Sequence, residues 1–294
     1  MTPRAARLCM VAATLLWGAT FVVIRDTLAH LDPLPLVFTR FVLAACLFAP
    51  WTARSLGARG ATVWAGGVLS GLLCAGGYAF QSIGLTRTSA GSSAFLTSIG
   101  TLFAGLYAWP LLGHRPTRTL LLGIALATAG VVLLAPRGDW RPGPGEGWTL
   151  LGALAFGLEI IAVARFAPRV DPAVLTGVQA LTVAVTLAPS GRRALEQLGR
   201  LPGEAWWRLG YLVLAGSVLA PLLQVVAQRS LPPGRIGLLF QLESVFALLF
   251  ALTLGGERFT ARWWAGSALI LLAVTAVEAR AARAPAASLP RASG

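Results

Sequence analysis

Gly113-His114-Arg115-Pro116-Thr117, near the middle of the chain, returns near its end as Gly256-Glu257-Arg258-Phe259-Thr260. The same shift carries Gly123 onto Gly266, Gln81 onto Gln224 and Phe103 onto Phe246. A nearby shift carries Leu15-Leu16-Trp17-Gly18 onto Leu154-Ala155-Phe156-Gly157, and Asp32-Pro33 onto Asp171-Pro172. The chain therefore reads as written twice. Each half holds about five apolar segments long enough to cross a bilayer as helices. An odd number of spans makes the second half enter the membrane in the opposite sense. Many secondary transporters use such inverted repeats to build a site that opens to either side.

Composition supports a membrane class. Of 294 residues, 56% are hydrophobic and 12% charged, and the mean hydropathy is +0.73. A soluble domain carries about twice that charged fraction. The net charge of +13 comes from arginines lying between the apolar runs, with no lysine. They read as topology signals, and nucleic acid is not an expected partner. Cys9, Cys46 and Cys74 lie in apolar runs without ligand spacing and read as small buried hydrophobes. His30 and His114 are far apart. No metal, cofactor or catalytic residue is expected. Arg4 and Arg7 precede an apolar run that continues to about Leu28 without a convincing cleavage site, so it reads as a retained first span rather than a signal peptide.

The spans are expected at 8–28, 33–50, 62–84, 89–111 and 118–135, then 147–165, 172–189, 206–229, 235–254 and 261–278. This makes an all-α integral membrane fold of ten helices in two inverted five-helix repeats. The first repeat is 1–135 and the second 147–278, with a Gly- and Pro-rich linker at 136–146. The segment Ser190 to Glu204 is polar enough for a short surface helix, and 279–294 reads as a disordered tail. Thirteen arginines fall on the side of the N-terminus and ten on the other, which puts both termini in the cytoplasm. Trp51, Trp64, Trp148, Trp206, Trp207, Trp263 and Trp264 lie at span ends, as an aromatic belt does. Gly67 with Gly71, Gly100 with Ala104, and Gly123 with Ala127 have the spacing that lets helix backbones approach closely.

A charge deep in a span is costly and needs a reason. Three stand out: Arg40 in the second span, Glu159 in the sixth and Glu243 in the ninth. None is duplicated, since their repeat mates are Gln179, Thr20 and Gly100. Arg40 is expected to neutralise one carboxylate, leaving the other to bind a cation, a proton or a substrate amine. The plainer reading is a buried pair that fixes helix register. The intramembrane amides Gln81, Gln179, Gln224, Gln228 and Gln241 need partners from helices, water or ligand. Gln81 and Gln224, as repeat mates, are expected to share a central cavity. Trp17 lies well below the interface and, with Tyr78 and Phe80, would give an aromatic wall, although packing is the default role of Phe80. Gln228 and Gln241 are weaker candidates, because helical phase alone does not turn them inward.

Leu16-Trp17-Gly18-Ala19-Thr20-Phe21, Arg40-Phe41, and Leu242-Glu243-Ser244-Val245-Phe246 running to Leu254-Gly255-Gly256-Glu257-Arg258 resemble the EamA family of the drug/metabolite transporter superfamily. The resemblance covers about residues 8–278. It implies ten helices in two inverted halves in the bacterial inner membrane, with export or exchange of small metabolites such as amino acids through a central cavity. The chain departs from the family at Ser244 and Thr101, where proline is common, and at His114, where glutamate is common. By this resemblance Glu243 looks mechanical, and Glu159 and Gln81 selective.

The resulting expectation is an alternating-access carrier of amino acids or related amines or drugs. Its cavity is lined by the first, third, fourth, sixth, eighth and ninth spans. Trp17, Tyr78, Gln81, Glu159, Gln224 and Gln241 are the candidate substrate contacts, and Arg40, Glu159 and Glu243 the coupling or structural charges. Without a Walker loop, ATP drive is not expected within the chain. Substrate gradients or protons would supply the energy, with Glu159 the first proton-carrier candidate. The alternatives are a channel, a non-transporting membrane interaction protein, or a lipid-modifying enzyme that would need an interfacial His, Asp, Ser or metal cluster. Substrate identity, flux direction and oligomeric state, a homodimer included, stay open.

Overall fold

The computed structural model describes residues 1–53, 60–134, 143–254 and 261–283. Among these the chain is helical throughout. The helices are α1 (Pro3–Thr27), α2 (Pro33–Ala53), α3 (Gly60–Leu85), α4 (Ala90–Leu102), α5 (Ala104–Leu112), α6 (Arg118–Leu134) and α7 (Pro144–Phe166). They continue as α8 (Pro172–Thr186), α9 (Gly191–Leu198), α10 (Gly203–Tyr211), α11 (Ala220–Gln228), α12 (Pro233–Leu239), α13 (Leu242–Thr253) and α14 (Ala261–Arg283). Eight stretches of the described residues are long and apolar enough to cross a membrane: α1, α2, α3, α4–α5, α7, α10–α11, α12–α13 and α14. The α8 and α9 pair, bent by 57°, would make a ninth, and α6 is a shorter apolar helix.

Local chemistry sets the starts. Thr2 accepts from the Ala5 amide with Pro3 behind it, and Ser89 does the same for Ser92 at 3.0 Å. Asp171 accepts from Ala173 and Val174, with Pro172 at the first helical position. Each cap satisfies amides that the first turn leaves unpaired. Gly113 closes α5 in the left-handed conformation at φ 73°, where a side chain would be strained.

Two expected boundaries move. The linker was expected to reach residue 146, but α7 begins at Pro144 because Glu146 folds back to accept from the Gly143 amide at 2.9 Å. Glu146 also accepts from Thr88 at 2.6 Å, tying the α3–α4 turn to the start of α7. The tail was expected from 279, but α14 continues to Arg283. The rest of the linker (136–142), residue 135 before it, the Gly256-Glu257-Arg258 stretch and residues 284–294 lie outside the described residues. The expected surface helix is present as α9, which docks on the α1–α2 turn through an Arg193–Asp32 ion pair and a 3.0 Å bond from the Asp32 amide to Gln197.

Small residues set the packing. α3 lies on α7 and α8, α1 on α13 and on α10–α11, α4 on α7, and α6 on α14. At Gly100 an added Cβ would sit 2.1 Å from the Ala153 carbonyl oxygen, and at Gly18 one would sit 2.6 Å from the Phe246 Cβ. Such crossings need glycine on one face. The paired Gly67 and Gly71 press on Val178 and Thr182 of α8 as their spacing implied. At one end of the bundle Glu278 of α14 pairs with Arg235 of α12 and, at 3.4 Å, with Arg7 of α1. Trp51, Trp148, Trp206, Trp207 and Trp264 stay exposed near helix ends.

Three irregularities were not foreseen. The fourth span breaks at Phe103 and the ninth at Phe240–Gln241, neither at a proline. At the second break tight i→i−3 bonds replace the helical pattern, as from Gln241 to Leu238 at 3.1 Å and from Glu243 to Phe240 at 2.9 Å. The third is a π-helical stretch, Leu212–Leu219, between α10 and α11. Wider turns of this kind leave carbonyls for side chains to use and recur at functional sites.

Candidate functional site

The helices line a central cavity. Its wall is built by Trp17 and Thr20 of α1, Cys74, Tyr78 and Gln81 of α3, and Thr97 and Thr101 of α4. Phe156 and Glu159 of α7, Gln179 of α8, Pro221 and Gln224 of α11, Phe240, and Glu243 of α13 complete it. All six spans expected to line the cavity do so, and α8 joins them through Gln179.

Glu159 is the best-held polar group in this wall. Gln179 donates to its Oε1 at 2.8 Å and Gln224 to its Oε2 at 2.8 Å. The second hydrogen of each amide is also directed. Gln179 donates to Cys74 Sγ at 3.0 Å and Gln224 to Gln228 Oε1 at 3.3 Å. Gln228 in turn donates to the Ile160 carbonyl at 2.9 Å. Four helices are thus joined through one carboxylate and its amides. Glu243 is different: it lines the same cavity, and among the described residues its carboxylate has no hydrogen-bond partner.

Arg40 corrects an expectation, because it neutralises neither carboxylate. It is fully buried in α2 and donates from Nε to Ser217 Oγ at 3.1 Å. Nη1 and Nη2 have no hydrogen-bond acceptor. The guanidinium instead lies over the Tyr78 ring at 5.1 Å and near the Phe41 ring at 5.9 Å. Aromatic faces attract a desolvated cation. Arg40 is not part of the cavity wall, whereas Tyr78 is.

The aromatic wall also differs from its sequence version. Trp17 stacks on Phe240 at 5.4 Å and 18°. Tyr78 meets Phe156 edge to face at 5.0 Å and 83°. Phe80 turns away and stacks on Trp148. The Trp17 indole donates to the Gly216 carbonyl at 3.0 Å, inside the π-helical stretch, and the Tyr78 hydroxyl approaches the same oxygen at 3.5 Å.

Trp17, Tyr78, Gln81, Glu159 and Gln224 come together in the cavity as expected. Gln81 donates to Thr97 at 3.0 Å. Gln241 does not join them. It is fully buried and bridges the break in its own span to α4, donating to the Gly237 carbonyl at 3.0 Å and the Ser98 carbonyl at 3.2 Å. The Ser98 and Ser244 hydroxyls bond beside it. Sequence reasoning missed Thr20, Cys74, Thr97, Thr101, Phe156, Pro221 and Phe240 as wall residues. A helix-phase match to Trp17, Tyr78 or Glu159 on the same helix could have found Thr20, Cys74 and Phe156. Among the described residues no group of His, Cys, Asp and Glu could hold a metal ion.

Comparison with known proteins agrees with this architecture. The sequence model of the EamA-like transporter family matches residues 4–135 and again residues 143–278. An uncharacterized transporter of Archaeoglobus fulgidus is 27% identical over 281 residues, covering 94% of this chain and 86% of its own. The uncharacterized inner membrane transporter YedA of Escherichia coli K12 is 25% identical over 276 residues, covering 90% and 88%. One protein crystal structure superposes with a TM-score of 0.75 at 21% identity, covering 93% of this chain and 98% of that one. At that identity the likeness speaks for the fold alone. With both halves matched, the chain belongs to the EamA-like transporter family, within the drug/metabolite transporter superfamily, and is a transporter rather than an enzyme.

Proposed function

We propose that the protein is a secondary transporter that exports or exchanges small organic metabolites, amino acids or related amines and drugs, by alternating access. The carrying observation is the central cavity, where a clamped carboxylate, Glu159, and a free one, Glu243, face aromatic walls. Small-molecule sites have this make-up of apolar walls with a few placed polar groups. The bacterial inner membrane, with both termini cytoplasmic, is the proposed location. The name of the YedA relative and the arginine bias support it.

Ten spans in two inverted halves, 1–135 and 147–278, fit the two successive matches to one family. Helix packing supports the same reading. α3 lies against α7 and α8, and α10–α11 lies likewise against α1 and α2. α7 packs on α4 as α1 packs on α13, while α6 with α14, and α2 with α8, pack mate on mate. Exchange of the halves reproduces each contact, as a pseudo-two-fold axis in the membrane plane would. Rocking of the halves would then expose the cavity to one side at a time.

The test is counterflow of a pooled, labelled amino-acid and amine mixture in proteoliposomes of the pure protein. Saturable counterflow of a component supports a carrier, and flux without saturation or counterflow would favour a channel. Protons are the proposed coupling ion, with Glu159 as their carrier. A Glu159→Gln variant should lose acceleration by a pH gradient, and normal transport with unchanged pH dependence would reject that role.

A further inference from the structure

Resting on that carrier reading, the inventory of donors and acceptors in the cavity narrows the substrate class. The indole and side-chain amide N–H groups of the wall are largely committed. Trp17 donates to Gly216, Gln81 to Thr97, and Gln179 and Gln224 to Glu159. The Thr20 and Thr101 hydroxyls donate to backbone carbonyls at 2.7 and 3.1 Å. What remains to donate to a ligand is one hydrogen of Gln81, the Thr97 hydroxyl, the loosely held Tyr78 hydroxyl and the weakly donating Cys74 thiol. The acceptor side is the reverse, for both oxygens of Glu243 are free. The wall holds two carboxylates and no cationic side chain. Arg40 would be the natural partner of a ligand carboxylate, but it is fully buried against Tyr78. A Cβ on Gly216 would lie 3.1 Å from its Nη2, so that side is filled too.

We propose that the substrate is an organic cation, a protonated amine on a flat apolar body, with Glu243 as its counter-ion and the Trp17–Phe240 and Tyr78–Phe156 pairs as its walls. A carboxylate out of bulk water without a partner is costly, and an ammonium that donates to it offsets the desolvation of both. Aromatic faces add attraction for the same charge. A zwitterion would bring a carboxylate to a wall that offers it few donors and no cationic side chain. The cation fits the cavity better on both counts.

The test uses three probes sharing a phenyl ring: phenethylamine, phenylalanine and phenylacetate. Labelled phenethylamine is bound to the purified full-length protein, with the other two as competitors. The amine should bind at least about tenfold more tightly than the zwitterion, a gap of about 1.4 kcal/mol, and the anion should not compete. Glu243→Gln should weaken amine binding at least about tenfold, while Glu243→Asp, which keeps the charge, restores most of it. Equal or better competition by phenylalanine, no binding of the amine, or unchanged amine affinity in Glu243→Gln would each overturn the proposal. Amine binding without counterflow would keep the proposal and reject the carrier reading. Phenylalanine counterflow without amine binding would do the opposite.

Discussion

Replacing Gln224 by Leu tests whether the amide clamp on Glu159 holds the site together. The substitution removes the 2.8 Å bond to Glu159 Oε2 and the weaker 3.3 Å contact with Gln228. Hydrogen bonds between membrane helices are worth about 0.6 kcal/mol on average and reach about 1.7. The burial of Glu159 puts this one at the upper end, because a buried acceptor left unmet costs about 1–3 kcal/mol. A loss of about 1.5–2 kcal/mol corresponds to a fall in Tm of about 3–8 °C at the scale of larger domains. The assay is thermal unfolding of the purified protein in detergent, run as a double-mutant cycle with Glu159→Leu. Once the carboxylate is gone, Gln224→Leu should cost less than about 1 °C, since both partners have been made apolar. An equal fall in both backgrounds would refute the clamp, because Gln224 would then be acting through something other than Glu159.

Two further predictions follow from burial. Arg40→Met should keep or raise Tm, because the guanidinium is buried with two nitrogens lacking acceptors and apolar replacement of a poorly compensated buried charge is often neutral or stabilising. A fall worth about 3–5 kcal/mol in a stability assay, the usual cost of breaking a buried ion pair, would restore the pairing that the geometry denies. Gly100→Ala should destabilise by about 1–3 kcal/mol through overpacking, since its Cβ would meet the Ala153 carbonyl oxygen at 2.1 Å. Gly76→Ala, whose nearest neighbour lies at 3.7 Å, should be near neutral in the same melts.

Much of the fold was legible because the bilayer imposes it. Apolar runs about 20 residues long leave few other options, and the Asp-Pro pairs and Ser89 mark helix starts in plain chemistry. The composition of the site was legible for the same reason. Glu159, Gln179 and Gln224 all stood out as polar groups in apolar runs. Their mutual pairing was not legible, because it depends on the relative rotation of α7, α8 and α11, which hydropathy does not encode. Arg40 shows the same limit from the other side. Its burial demanded compensation, and opposite charge was the expected answer, but Tyr78 and Ser217 lie nearer than any carboxylate. The aromatic wall failed at Phe80 because residues two apart on a helix do not share a face, so Phe80 leaves the cavity that Tyr78 lines and stacks on Trp148. Pro221, which has no amide to reach the carbonyl of Ser217 four residues back, does signal the π-helical stretch, whereas the breaks at Phe103 and Phe240–Gln241 carry no proline signal. These breaks show only once side chains such as Gln241 are seen bonding to displaced backbone.

Sidedness of Cys74 tests alternating access most directly. This thiol lines the central cavity, so in a Cys9→Ala, Cys46→Ala background it is the single reporter of that space. A membrane-impermeant thiol reagent is applied to right-side-out and to inside-out vesicles. The account predicts labelling from both sides, slowed in each case by a transported substrate. Labelling from one side alone under every substrate condition would contradict a cavity that opens to each side in turn.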